Sequence, residues 1–202
     1  PMLLKTDSTI IQMSFNSILS KYRKYSFSER DKGERFERLM QAYLLTDPMY
    51  ANKFKKVWLW SEFPFRNDLG GQDTGIDLVA LTNENDYWAI QCKCYQKTTV
   101  MDKPAVDSFL TTSSREFKDD NFKTTRFSHR LWISTSNEWT KNAIDAFKNQ
   151  PIPVSKIALN ALIAAPVDWV GLENGIHGDA ALSPKKTIRP HQIVALEKTH
   201  QH

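Results

Sequence analysis

Apolar positions recur at spacings of three and four across residues 8–25, at Ile11, Phe15, Ile18, Leu19 and Tyr22, with Lys21, Arg23 and Lys24 gathered late. This pattern predicts an amphipathic helix. Ser28 followed by Asp31 predicts a second helix start, and the stripe Phe36, Leu39, Met40, Tyr43 and Leu44 carries that helix to a stop at Asp47-Pro48. From Lys56 the period changes. Val57–Trp60, Ile76–Leu81 and Tyr87–Cys94 alternate or are rich in β-branched and aromatic residues, and read as three successive strands. Asn83-Glu84-Asn85 is a short polar turn, so the second and third strands are expected to form an antiparallel hairpin. Asp102 before Lys103-Pro104 predicts the N-cap of a helix turning Val106, Phe109, Leu110 and Phe117 inward. A strand over Arg130–Thr135, a helix over Glu138–Lys148 and a strand over Lys156–Leu159 follow. The order predicts an α/β fold with a mixed central sheet flanked by helices. After Trp169 the run GLENGIHGDAALSPKK reads as a linker, placing one domain over 1–170 and a separate segment over 171–202.

The chain's 202 residues suit one domain with appendages, and 41% apolar with 25% charged residues is ordinary for a globular protein. With no run of about 18 apolar residues and no basic start followed by a long apolar stretch, the expectation is a cytoplasmic protein without membrane contact. The net charge of +4 allows an anionic partner without demanding one. Cys92 and Cys94, the only cysteines, lie two apart on a strand and suit reduced thiols. Zinc prefers four ligands at wider spacing, so buried small hydrophobes is the better reading of the pair.

Chemistry concentrates in the hairpin. Side chains alternate along a strand, so Gln91 and Lys93 share one face, expected to point away from the core, while Ile90, Cys92 and Cys94 take the other. If Leu81 pairs with Tyr87, counting back sets Asp77 opposite Gln91. A carboxylate and an amide oxygen can hold a hard cation such as Mg²⁺, with an ammonium group beside it. Phosphodiester hydrolysis asks for such a set: a cation to offset developing charge, and a group to position a water. The plainer alternative for Gln91 and Lys93 is the solvated face of an edge strand. Asp73 is equally readable as a turn residue, and Glu37 as a helix-surface acid. Lys53, Lys55 and Lys56 read as a solvated edge, and His200 and His202 carry no specific expectation.

Gly75-Ile76-Asp77, thirteen intervening residues and Gln91-Cys92-Lys93 resemble the core signature of the PD-(D/E)xK nuclease superfamily, in the Mrr-type branch where glutamine replaces the acidic ligand. Gly70-Gly71-Gln72-Asp73-Thr74 is similar to that branch's glycine-rich approach to the aspartate. Gly33-Glu34-Arg35-Phe36-Glu37 resembles its first-helix element, and Ile133-Ser134-Thr135-Ser136 with Thr140 and Ala143 its strand-to-helix passage. The resemblance covers roughly residues 30–150 and implies a restriction-endonuclease-like fold and a DNA endonuclease leaving 5′-phosphates. It makes Asp77 the principal Mg²⁺ ligand, Gln91 and the Cys92 backbone carbonyl further ligands, and Lys93 the water-orienting group, with Glu37 and Asp73 as possible additions. Because Gln91 brings no charge, weak Mg²⁺ binding is expected. Lys97, Lys103, Arg115, Lys123 and Arg126 are candidate phosphate contacts to double-stranded DNA.

Arg189-Pro190-His191-Gln192 resembles an element preceding the phosphate-binding loop of superfamily 2 helicases. An Mrr-type nuclease leading into such a motor is similar to the start of type ISP single-polypeptide restriction-modification enzymes. That family implies helicase-like, methyltransferase and target-recognition domains in cis, ATP for the motor alone, and transient pairing of nuclease domains during cleavage. A stand-alone Mrr-like nuclease acting on modified DNA and a catalytically silent DNA-binding module are the alternatives.

Overall fold

The computed structural model describes residues 15–71 and 74–177. Helix α1 covers residues 15–25 and buries Phe15, Ile18, Leu19 and Tyr22, as the spacing requires; Ile11 lies outside the described residues. Helix α2 (Glu29–Thr46) starts where the capping signal stood, with the Asp31 amide donating to the Ser28 hydroxyl at 3.0 Å. Asp47 ends α2 and caps the short α3 (Pro48–Ala51). Then come β1 (Phe54–Leu59), β2 (Leu78–Thr82), β3 (Tyr87–Lys93), β4 (Val100–Met101), α4 (Lys103–Thr112), β5 (Phe117–Lys118) and β6 (Thr124–Thr125). The described chain closes with β7 (Phe127–Ser134), β8 (Glu138–Trp139), α5 (Lys141–Phe147), β9 (Val154–Ile157), α6 (Leu159–Ala164) and α7 (Trp169–His177).

Five strands form one mixed sheet in the order β1-β2-β3-β7-β9. β1, β2 and β3 pair antiparallel, while β3, β7 and β9 pair parallel through crossovers that carry α4 and α5. Both faces are covered. Phe15, Phe36, Leu39 and Trp169 pack with Leu78, Ala80, Ile90, Cys92 and Ile133 on one side. Phe63, Phe109 and Ala143 pack with Val79, Ala89 and Trp132 on the other. A strand buried on both faces reads as a continuous apolar run, which is why Leu131-Trp132-Ile133 in β7 lacks alternation.

Several expectations shift. Phe117 is not on the inner face of α4 but in the small β5–β6 hairpin, where it still reaches the core. Glu138–Trp139 pairs with β4 in a two-stranded sheet, so α5 is shorter than expected and starts from a Thr140 cap. Leu159 opens α6 rather than closing a strand. The boundary expected at 170/171 falls inside α7, and Leu172 and Glu173 are both buried. Among the described residues, no helix is long and apolar enough to cross a membrane.

Candidate active site

β2 and β3 pair Leu81 with Tyr87 and Leu78 with Ile90, so Asp77, one residue before β2, falls opposite Gln91. There the ladder changes partners. The Asp77 amide donates to the Ile90 carbonyl at 2.9 Å, and the Trp60 amide donates to the Asp77 carbonyl at 2.8 Å. The Cys92 amide turns to the Asp77 side chain, donating to Oδ2 at 2.7 Å, and Gln91 Nε2 donates to the same oxygen. Oδ2 is thus occupied by two donors, and among the described residues no hydrogen bond is made to Oδ1.

Alternation puts Lys93 on this face two residues beyond Gln91, and the Thr135 amide fixes the strand end by donating to the Lys93 carbonyl at 3.0 Å. The expectation that this face points away from the core is corrected. Gln91 is 2% exposed, because α4 and the loop after β1 cover the second side of the sheet. The edge-strand alternative also fails, since β3 is the middle strand.

Burial pushes the Asp77 carboxyl up to about 6, against the Cys92 amide and the Lys93 charge, which lower it. Glu37, on α2, is pushed up to about 8 by burial first, then by Asp77 and Glu34, with Lys93 and Arg38 opposing. Glu37 therefore shares the electrostatic surroundings of Asp77 and Lys93. Among the described residues, no three His, Cys, Asp or Glu side chains are placed to hold a metal ion. The oxygens gathered here are one carboxylate, the amide of Gln91 and the Cys92 carbonyl, which Gln91 Nε2 approaches to 3.5 Å. These suit a hard cation that keeps most of its waters, and a desolvated carboxyl with one oxygen unengaged fits such a guest.

The approach to Asp77 is built from glycines that take left-handed backbone: Gly70 at φ +105°, Gly71 at +74° and Gly75 at +74°. A Cβ on Gly75 would lie 3.1 Å from Ser108 Oγ and 3.3 Å from the Phe109 amide nitrogen, so α4 presses directly on this turn. Trp60 Nε1 donates to the Gly71 carbonyl at 2.6 Å, and Arg115 donates to the Leu69 carbonyl at 3.2 Å. Asp73 lies outside the described residues.

The five basic candidates spread out. Lys97 and Lys123 are exposed, Lys103 pairs with Asp107 at 2.6 Å, Arg126 pairs with Glu116 at 2.5 Å, and Arg115 braces the glycine loop. Two residues to which the sequence gave no site role act on the exit of β3. Arg23 Nη2 and Thr135 Oγ1 both donate to the Tyr95 carbonyl at 2.6 Å. Arg23 gave no signal because a basic cluster late in a helix reads equally well as a solvated face.

A family model described as a restriction endonuclease, of the Mrr catalytic type, matches residues 45–178, which takes in Asp77, Gln91 and Lys93 and leaves α1 and Glu37 outside. Among solved structures, the chain is similar to the ATP-dependent type ISP restriction-modification enzyme LlaBIII bound to DNA. That match has a TM-score of 0.53 and 24% identity over 82% of this chain and 10% of the other. It is also similar to the MspJI restriction endonuclease in complex with a 27-mer oligonucleotide, with a TM-score of 0.49 and 16% identity over 87% of this chain and 39% of that one. The chain thus spans about a tenth of the length of LlaBIII. No curated protein matches.

Proposed function

Since this chain belongs to the Mrr-type family of restriction endonucleases and is a nuclease domain, we propose that it hydrolyses phosphodiester bonds of double-stranded DNA in a Mg²⁺-dependent reaction. The observation that carries this reading is the convergence of Asp77, Gln91 and Lys93 at the splayed end of the β2–β3 hairpin. Asp77 Oδ1, the Gln91 side-chain oxygen and the Cys92 carbonyl would hold the ion, with Glu37 as an outer ligand. When bound, Mg²⁺ supplies Lewis acidity toward a phosphoryl oxygen and acidifies a coordinated water. Gln91 Nε2 and the Cys92 amide fix the orientation of the Asp77 carboxylate. Lys93, whose ammonium group has donors and no acceptor, orients the attacking water and offsets charge on the phosphoryl oxygens rather than removing a proton.

In its larger setting this would be the nuclease module of an ATP-driven, translocating type ISP restriction-modification enzyme in the cytoplasm. The likeness in fold to LlaBIII supports that setting, as does the Arg189–Gln192 element, which lies outside the described residues. Helicase-like, methyltransferase and target-recognition domains would then follow in cis, and two nuclease domains would pair transiently to cut both strands.

Plasmid nicking with Mg²⁺ tests the reading. Asp77→Ala and Lys93→Ala are each expected to abolish nicking while thermal melting in EDTA still shows a cooperative fold. Nicking that survives both changes refutes the assignment. Salt-dependent duplex binding with no cutting by the wild type would mark a silent binding module instead.

A further inference from the structure

Five buried polar side-chain atoms among the described residues have no hydrogen-bond partner, and three of them, Tyr22 Oη, Arg23 Nε and Ser26 Oγ, fall within five consecutive residues. Buried donors are almost always paired, so three together point to a polar guest. Tyr22 and Ser26 stand one helical turn apart, with the Ser26 amide donating to the Tyr22 carbonyl at 3.2 Å. The place is specific. Arg23 also donates from Nη2 to the Tyr95 carbonyl, two residues past Lys93, so Arg23 sits where the catalytic strand leaves the sheet.

The surroundings favour an anion. Cys94, the residue between Lys93 and Tyr95, has its thiol raised chiefly by burial, with Arg23 and Lys32 as the leading influences that lower it. Both cations are therefore close. Residues 21–35 hold six basic and three acidic side chains, a net of +3 out of +4 for the whole chain. Each acid already has a partner on its own helix: Glu29 with Lys32, Asp31 with Arg35 and Glu34 with Arg30. Lys21 is engaged with Glu173, which leaves Arg23 and Lys24 as the surplus at the junction, Lys24 lying 5.0 Å over the Tyr25 ring. The carbonyl end of α1 and the amide end of α2 meet here and offset each other, so side-chain charge decides. Phe27, just before the α2 cap, would ordinarily fold onto the residue four into the helix, but Lys32 stands there and the ring is 94% exposed.

We propose that the α1–α2 junction is a second phosphate subsite, in which Arg23 and Ser26 grip a backbone phosphate of the DNA strand next to the one hydrolysed at Asp77 and Lys93. The subsite rests on the nuclease reading and extends it to residues outside the matched family region. Neutralising one phosphate releases its counterions, so each such contact leaves a signature in the salt dependence of binding.

Fluorescence anisotropy on a short labelled duplex in EDTA, over a salt series, tests the proposal. Arg23→Gln is expected to raise Kd about tenfold, the size of one charge-assisted hydrogen bond, and to flatten the slope of log K against log salt by about one. Arg23→Lys should keep the slope, and Ser26→Ala should weaken binding about threefold without changing it. Lys148→Gln removes the same charge just after α5 and should leave Kd unchanged. If Arg23→Gln does not fold, Arg23→Lys and Ser26→Ala carry the test. Wild-type protein that binds and cuts, beside variants with unchanged Kd and slope and only a lower kcat, overturns the subsite and leaves Arg23 as a prop for Tyr95. Wild-type protein that neither binds nor cuts overturns the nuclease reading and the subsite together.

Discussion

A carboxyl withdrawn from water resists ionisation, and Asp77 and Glu37 are both in that position. Burial is the first cause in each case, and each is held protonated above its ordinary range, Asp77 to about 6 and Glu37 to about 8. In the metal-free protein, the folded state therefore keeps protons that the unfolded chain has already released. Stability is full below the unfolded values of 3.8 and 4.5 and falls as pH rises through about 6 for Asp77 and about 8 for Glu37. Thermal melts in EDTA should show Tm dropping between pH 4.5 and 8, with the part above pH 6 missing in Glu37→Gln. A wild-type Tm that is flat or rising over that range contradicts the burial argument. Asp77, Gln91 and Lys93 were legible in the sequence because strand alternation and one turn fix their register. Glu37 was harder to read, since its role depends on where α2 lies against the sheet, which no local pattern encodes.

At the scale of elements, the hairpin was legible and what presses on it was not. The Asn83–Asn85 turn sets the β2–β3 register by itself, with Asn85 at φ +68°. The covering of the Gln91 face depends on α4, and the contact runs through Gly75. Gly75→Ala combines a left-handed backbone with tight contacts to Ser108 Oγ and the Phe109 amide nitrogen, whereas Gly71→Ala shares the φ but meets nothing within 4 Å. The expected losses are about 1 kcal/mol for Gly71→Ala, from the backbone alone, and about 2–4 kcal/mol for Gly75→Ala, where packing strain adds. Denaturant unfolding checks both, and nicking should fall further for Gly75→Ala because Asp77 follows two residues on. Equal losses would remove α4 from the account of the site. Arg130 shows the same limit of local reading. It sits on β7 within an apolar strand pattern, is 1% exposed, and donates to Ser113 Oγ, Ser114 Oγ and the Leu110 carbonyl at the end of α4, and to the Ile152 carbonyl before β9. Helix-end carbonyls suit a cation, but only the fold brings them to it.

The whole molecule departs from its sequence most clearly at the C-terminal side of the described residues. Glycines in GLENGIH suggested a linker after Trp169, yet the segment is α7, and its hydrophobic side closes the core against α1 and α2. Trp169 stacks on Tyr43 at 5.2 Å, lies 4.5 Å from Phe15, and donates from Nε1 to the Leu162 carbonyl at 3.1 Å. Glu173 reaches Lys21 at 2.9 Å, tying α7 to α1 two residues before Arg23. Glycine weakens a helix by roughly 1 kcal/mol, and burial of Leu172 on a ready-made surface outweighs that. A chain cut after residue 170 removes Leu172 and Glu173 and leaves Trp169 at a fraying end. It should lose about 3 kcal/mol or more, seen as an earlier urea midpoint, and it should nick more slowly because α1 is loosened at the exit of β3. An unchanged midpoint for the shortened chain would support a boundary at 170 and detach α7 from the nuclease core.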